Sequence, residues 1–245
     1  MELSGYMRKL LSAFVSPQSC LVCGKNSGSG VPLCETCLET AFLHEARALG
    51  SPSVLSERCV KCGRPLISAK ELCYTCRNTG LLASVDRIVP LFPYTVTAQE
   101  LLVAWKMHGI RGLSPVFARI IAECRSAIPA LQDLPVVPVP PRPGKRAEKG
   151  WDQIEELSRF LALRHRVPVL KCLERTSGVQ QKKLGRIARF SNIHGAIVPV
   201  PGISVPAAAI VLDDLITTGS TIDACADALK CAGCEKVYAL TLFYD

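Results

Sequence analysis

Apolar and polar positions along this chain change their period several times, and each change marks an element. In the first fourteen residues Leu3, Tyr6, Met7, Leu10, Leu11 and Phe14 recur at helical spacing, which predicts an amphipathic helix. Arg8 and Lys9 are its cations. That helix is expected to pack on a neighbouring module; lying on a membrane surface is the alternative. Up to about residue 79 the chain is then paced by cysteine. From about residue 85 onward, short apolar runs alternate with helical patterns, as in a parallel α/β sheet. Strands are expected at 87–94, 134–139, 167–173, 208–212 and 236–243. Helices are expected at 97–107, 113–128, 151–166, 184–193 and 220–232. Ile154, Leu157 and Leu161 form the inward stripe of the third helix, and Ile222, Cys225, Ala226 and Leu229 that of the last. This divides the chain at 1–79 and 80–245.

The cysteines add metal chemistry to that outline. Eight of the thirteen fall into C-x-x-C pairs: Cys20/Cys23, Cys34/Cys37, Cys59/Cys62 and Cys73/Cys76. Ten residues separate the first pair from the second, and ten separate the third from the fourth, so the unit repeats after 39 residues. Gly24 and Gly63 follow the first pair of each copy, where a tight knuckle turns backbone N–H groups toward sulfur. Four thiolates suit tetrahedral Zn²⁺. The rival is a disulfide framework, which needs an oxidising compartment. The N-terminus shows neither the long apolar run nor the small-residue cleavage site of a signal peptide, and no apolar run reaches the ~20 residues that span a bilayer. A cytoplasmic, reducing setting and a double zinc ribbon are therefore expected. Sequential pairing of the motifs is the simplest arrangement; a cross-braced one is the alternative. Cys124, Cys172, Cys225, Cys231 and Cys234 are expected to be structural.

The run 208–212 ends in Asp213 and Asp214, and Thr217-Thr218-Gly219-Ser220-Thr221 follows at the start of a helix. Such a turn can aim several backbone N–H groups and hydroxyls at one phosphate, with the positive end of the helix dipole behind them. The two carboxylates can accept hydrogen bonds from vicinal sugar hydroxyls or help hold Mg²⁺. Together they point to a sugar phosphate at the carboxyl end of a strand, where open α/β sheets bind ligands. Charge agrees with an anionic ligand. The chain carries +8, and 140–190 alone holds thirteen Lys or Arg against five Asp or Glu, so the excess sits there. Arg142, Lys145, Arg146 and Lys149 cluster in a loop just after a strand.

The 208–221 block resembles the phosphoribosyl-diphosphate (PRPP) loop of type I phosphoribosyltransferases. The whole chain is similar to the ComF (ComFC) family, which is linked to natural competence and DNA uptake. That family joins an N-terminal zinc ribbon to a type I phosphoribosyltransferase-like domain with a parallel α/β sheet. Tyr94, Leu101-Leu102-Val103-Ala104-Trp105-Lys106 and His108-Gly109 match its opening segment. Val137-Pro138-Val139-Pro140 with Arg142, and Lys149-Gly150-Trp151-Asp152-Gln153, match the next. Leu173-Glu174-Arg175, Gln180 or Gln181, Arg189 and Asn192-Ile193-His194-Gly195-Ala196 match the last. Lys149, Trp151 and Asp152 depart from the usual Arg-Gly-Phe-Asn-Gln. The resemblance implies PRPP with its 5-phosphate on Thr217, Thr218, Gly219, Ser220 and Thr221. It puts Asp213 and Asp214 at the ribose hydroxyls, Mg²⁺ between ribose and pyrophosphate, and Arg142 with Lys145 or Arg146 at the diphosphate. Residues 175–183 would form a lid. Three functions follow. One is a phosphoribosyltransferase (a glycosyltransferase) whose acceptor no residue declares. Another is a non-catalytic PRPP sensor or adaptor. A third is a protein that handles single-stranded DNA beside other competence-machinery proteins.

Overall fold

The computed structural model describes residues 19–27, 32–67, 70–176 and 195–245. The helices expected at 1–14 and 184–193, the lid beyond Thr176, and the family matches from Gln180 to His194 lie outside those residues. The centre of the fold is a four-stranded parallel sheet in the order β1-β6-β5-β2. Its strands are β1 (Arg87–Pro93), β2 (Val136–Pro138), β5 (Ala208–Ile216) and β6 (Lys236–Tyr244). A separate antiparallel pair joins β3 (Leu173–Arg175) to β4 (Ile197–Pro199). Asp213 on β5 lies opposite Thr241 on β6 in the ladder.

The strand expected at 167–173 does not form as a unit. Pro168 has no N–H to donate, so this segment touches β2 through one bridge, Val169 with Val136. The chain then leaves to make β3. Strand β2 is likewise shorter than its apolar run, because Pro135, Pro138 and Pro140 punctuate the donors along this edge.

Helices cover both faces of the sheet. On one lie α5 (Val96–Lys106), α6 (Leu113–Ala127) and α8 (Gln153–His165). Ile154, Leu157 and Leu161 are buried here as expected, against a core that holds Trp105, Phe117 and Leu240. On the other face α9 (Ser220–Cys231) buries Ile222, Cys225, Ala226 and Leu229 against Ala209, Val211 and Ala239. Asp152 caps α8, its carboxylate accepting from the N–H groups of Ile154 and Glu155 at 2.9 and 3.0 Å. That explains why the helix starts two residues later than its apolar pattern. An Asn at this position could cap in the same way.

Both cysteine repeats take the same local form. The bridge Ser19–Asn26 in the first recurs as Arg58–Pro65 in the second, 39 residues on. Cys34 caps α1 (Glu35–Leu38) as Cys73 caps α4 (Tyr74–Thr79). After α1 the first copy continues through a π-helical stretch, Glu39–Leu43, into α2 (His44–Ala48), and a short α3 (Pro52–Ser56) leads to the second copy. Leu38, Phe42, Leu43, Ala46 and Leu49 belong to the same core as Phe117 and Phe243. Phe42 meets Phe92 of β1 edge-to-face at 5.1 Å. Arg47 pairs with Glu123, and Arg119 with Glu35, across the surface of that contact.

Candidate functional site

The eight cysteines gather into two clusters, Cys20/Cys23/Cys34/Cys37 and Cys59/Cys62/Cys73/Cys76, so the motifs pair sequentially and the cross-braced alternative falls away. Within each cluster the sulfurs lie within 4.8 Å of one another. Cys23 and Cys34 Sγ are 3.7 Å apart, as are Cys62 and Cys73 Sγ. A zinc–sulfur bond of about 2.3 Å implies a tetrahedron edge of about 3.8 Å, so the spacing fits the ion. The knuckle N–H groups point at sulfur, Cys37 N to Cys34 Sγ at 3.4 Å and Cys76 N to Cys73 Sγ at 3.5 Å. Burial raises the Cys20 thiol, but the N–H groups of Cys23, Cys34 and Val22 outweigh it and bring it down to about 7. Cys59 is brought to about 7 by the same balance. Cys37, Cys62 and Cys76 are instead pushed up, first by burial and then by the neighbouring cysteines, so with no cation between them the four sulfurs of a set do not all ionise together. Of the other cysteines, Cys124, Cys172, Cys225 and Cys234 are buried and Cys231 is exposed.

The second locus is a cleft at the carboxyl end of β5. It is lined by Asp213, Asp214, Thr221, Arg142 and Lys145, which the sequence singled out, and by Lys106, Asp152, Gln153 and Arg175. Consecutive strand residues point to opposite faces. Asp214 accordingly faces α5 and α8, where Lys106 Nζ meets Oδ1 at 2.7 Å and Gln153 Nε2 donates to Oδ2 at 2.9 Å. Asp213 faces the α9 side and accepts the Asp214 N–H at 2.9 Å. Burial first, then the charge of Asp214, pushes the Asp213 carboxyl up to about 7. Lys145 Nζ bridges Asp152 and Gln153, the latter at 2.6 Å. Arg142 forms a two-pronged pair with Glu148 on α7 (Lys145–Lys149), out in solvent. The Arg146 backbone lies in α7 as well; its side chain is outside the described residues.

The turn 217–221 sits beside this cleft. Thr217 and Thr218 border a second cavity, shared with Cys62, Cys73 and Cys76 of the second ribbon. Thr221 faces the cleft, while Gly219 and Ser220 are buried between. Gly219 has φ +79°, a conformation that favours glycine, and the Leu82 side chain packs closely over it, its Cδ2 2.6 Å from where a Cβ would sit. Thr218 and Ser220 hydroxyls meet at 2.6 Å. Of the N–H groups that open α9, that of Ser220 donates to Thr218 Oγ1 at 3.4 Å and that of Asp223 to the Gly219 carbonyl at 2.9 Å, while those of Thr221 and Ile222 lie in the first turn, where a helix supplies no carbonyl of its own.

Lys106 and Gln153 were legible only as members of a motif, since their meeting with Asp214 crosses more than sixty residues of chain. Asp223 gave no sequence signal. It is fully buried in α9 and accepts from Ser84 and Val85 N–H, both at 2.9 Å, tying the second ribbon's exit to the helix behind the turn.

Among the described residues, no helix is long and apolar enough to cross a membrane. No family model matches the chain. A stretch of 155 residues is 25% identical to the protein named "Competence protein ComFC" of Streptococcus pneumoniae (strain ATCC BAA-255 / R6). The match covers 62% of this chain and 66% of that protein, just under two thirds of its length.

Proposed function

This likeness, with the two four-cysteine clusters, supports a competence-related protein of the ComF/ComFC family, and we propose that it binds PRPP in the cleft at the end of β5. One observation carries the proposal: Asp213 and Asp214 lie in the last four residues of the central strand β5, which leads through Leu215 and Ile216 into a glycine-turned, hydroxyl-rich helix opening, with four cations around the same cleft. The 5-phosphate would take the N–H groups and hydroxyls of Thr217 to Thr221. Asp213 and Asp214 would accept from the ribose diol, which a bare phosphate site would not need. Mg²⁺ suits these carboxylate oxygens and would screen the diphosphate. Lys106 pairs with Asp214, and Lys145 with Asp152. A diphosphate would draw both ammonium groups toward its own oxygens, freeing Asp214 for the sugar. Turnover would need attack at the anomeric carbon with departure of pyrophosphate, and the surrounding cations would stabilise the leaving charge.

Calorimetry with PRPP and Mg²⁺ tests binding. Asp213→Ala/Asp214→Ala should weaken it at least ~100-fold, the loss of two charge-assisted contacts of about 1.5–3 kcal/mol each. Equal affinity in the double variant overturns the proposal. Pyrophosphate release over a panel of bases and nucleic acids then separates a transferase from a sensor or adaptor. A second role, binding single-stranded DNA, is supported by the charge excess of 140–190, where Arg142, Lys145, Arg146 and Lys149 cluster in one short stretch. Weak binding that falls steeply with salt is expected, flattened by charge reversal at Lys145, Arg146 and Lys149. Binding unchanged by that reversal would remove the 140–150 loop from the DNA surface.

A further inference from the structure

The second ribbon touches the phosphate turn at several independent points. Arg64 leaves its knuckle and donates through Nη2 to the carbonyl oxygen of Thr217 at 2.7 Å and to that of Asp245. Its own backbone is held within the metal knuckle, since the Cys59 N–H donates to the Arg64 carbonyl at 2.8 Å. Gly63 beside it presses on β1, where a Cβ would meet the Ile88 oxygen at 2.3 Å. The chain leaving the ribbon then passes under the turn, with Leu82 against Gly219. Asp223 of α9 clamps the N–H groups that follow.

We infer that the second four-cysteine ribbon positions the phosphate turn, with Arg64 as the positioning residue that fixes the Thr217 carbonyl. It rests on the turn being the phosphate seat proposed above. The physical logic is direct. A phosphate is bound by several N–H groups only if their directions converge beforehand, because ordering them on binding costs affinity. Thr217 is the exposed first residue of the turn, and the described contacts give its carbonyl to Arg64. A guanidinium can bridge two carbonyls from one rigid plane, which an ammonium does less well. Metal at Cys59, Cys62, Cys73 and Cys76 would keep the knuckle closed and Arg64 aimed. A distortion at the metal would then reach the turn without any residue of the cleft being altered.

The test compares zinc-loaded wild type, Arg64→Met and Arg64→Lys in the full chain. Amide hydrogen exchange of 217–222 is read without ligand, and PRPP affinity is measured in parallel. Arg64→Met should keep about two zinc per chain and a heat transition within ~3 °C of wild type, as expected for a half-buried surface change. Exchange across 217–222 should rise about tenfold and PRPP affinity should fall about tenfold, one lost charge-assisted contact. Arg64→Lys should recover part of both. Unchanged exchange in Arg64→Met overturns the coupling, whatever PRPP does. Faster exchange in Arg64→Met, with no PRPP binding even in wild type, sustains the coupling and removes the phosphoribosyl proposal instead.

Discussion

The two ribbons are copies in sequence and opposites in setting. The first, with α1, the π-helical stretch and α2 behind it, feeds Leu21, Leu33, Leu38, Phe42, Leu43, Ala46 and Leu49 into the main core. The second is followed by α4, which buries none of its residues, and Tyr74 at its start is 76% exposed. It holds the sheet by polar contacts instead: Arg64 to Thr217, Lys61 Nζ to the Val85 carbonyl, and Arg58 to Pro90. Gly24 has open space around it where Gly63 is pressed on β1. One metal-binding fold thus anchors by burial and the other by reaching. Apolar burial is strong and carries no directional information, whereas hydrogen bonds are individually weak and fix position.

The largest effect should come from breaking the buried copy. Cys34→Ser should drop zinc from about two to about one per chain and lower the global heat transition by ~10 °C or more, since about 3–5 kcal/mol of core contact depends on α1 and α2. A local loss with the main transition intact would show that the first ribbon is a separate unit. Next comes a direct comparison of burial. Phe42→Ala should cost about 3–5 kcal/mol and Tyr74→Ala no more than ~0.5, both read by denaturant titration. Similar costs would erase the contrast. Cys73→Ser should also remove about one zinc, yet shift the heat transition by ~3 °C or less while exchange at 217–222 quickens. Equal thermal losses in Cys34→Ser and Cys73→Ser would make the two copies equivalent.

A further effect concerns charge near the carboxyl end of β5. Asp213 binds its proton more tightly folded than unfolded, so its contribution is intact at low pH and declines as pH rises toward about 7. Asp213→Asn lacks that decline. Between pH 5 and pH 8 wild type should therefore lose at least ~3 °C relative to the variant, the shift about 1 kcal/mol produces. Parallel pH curves would mean that the carboxyl titrates normally.

The sequence already contained whatever is periodic or local. Cysteine spacing gave both clusters, although it left their pairing open until the sulfurs were seen together. Alternating apolar runs gave the sheet strands and the helices on both faces. The run 167–173 misled because apolar content does not report the donor that Pro168 lacks. At the site, the carboxylates and the turn were legible because they are contiguous. Lys106, Gln153, Arg64 and Asp223 were not recognised as parts of it, because each acts across a long span of chain. The difference between the ribbons was invisible for the same reason: their metal-binding patterns match, and only their surroundings differ.

The strand order has a consequence for how the molecule is made. Strand β6 lies between β1 and β5, so β1 has its ladder partner only after some 140 residues more have been synthesised. During translation the ribbons emerge first and can take metal at once. The apolar side of α1 and α2 must then wait on the ribosome for Phe117 and Phe243, which come much later. In a nascent chain the apolar side of α1 and α2 would therefore stay uncovered until the last strand emerges, the situation in which transiently exposed apolar surface favours aggregation.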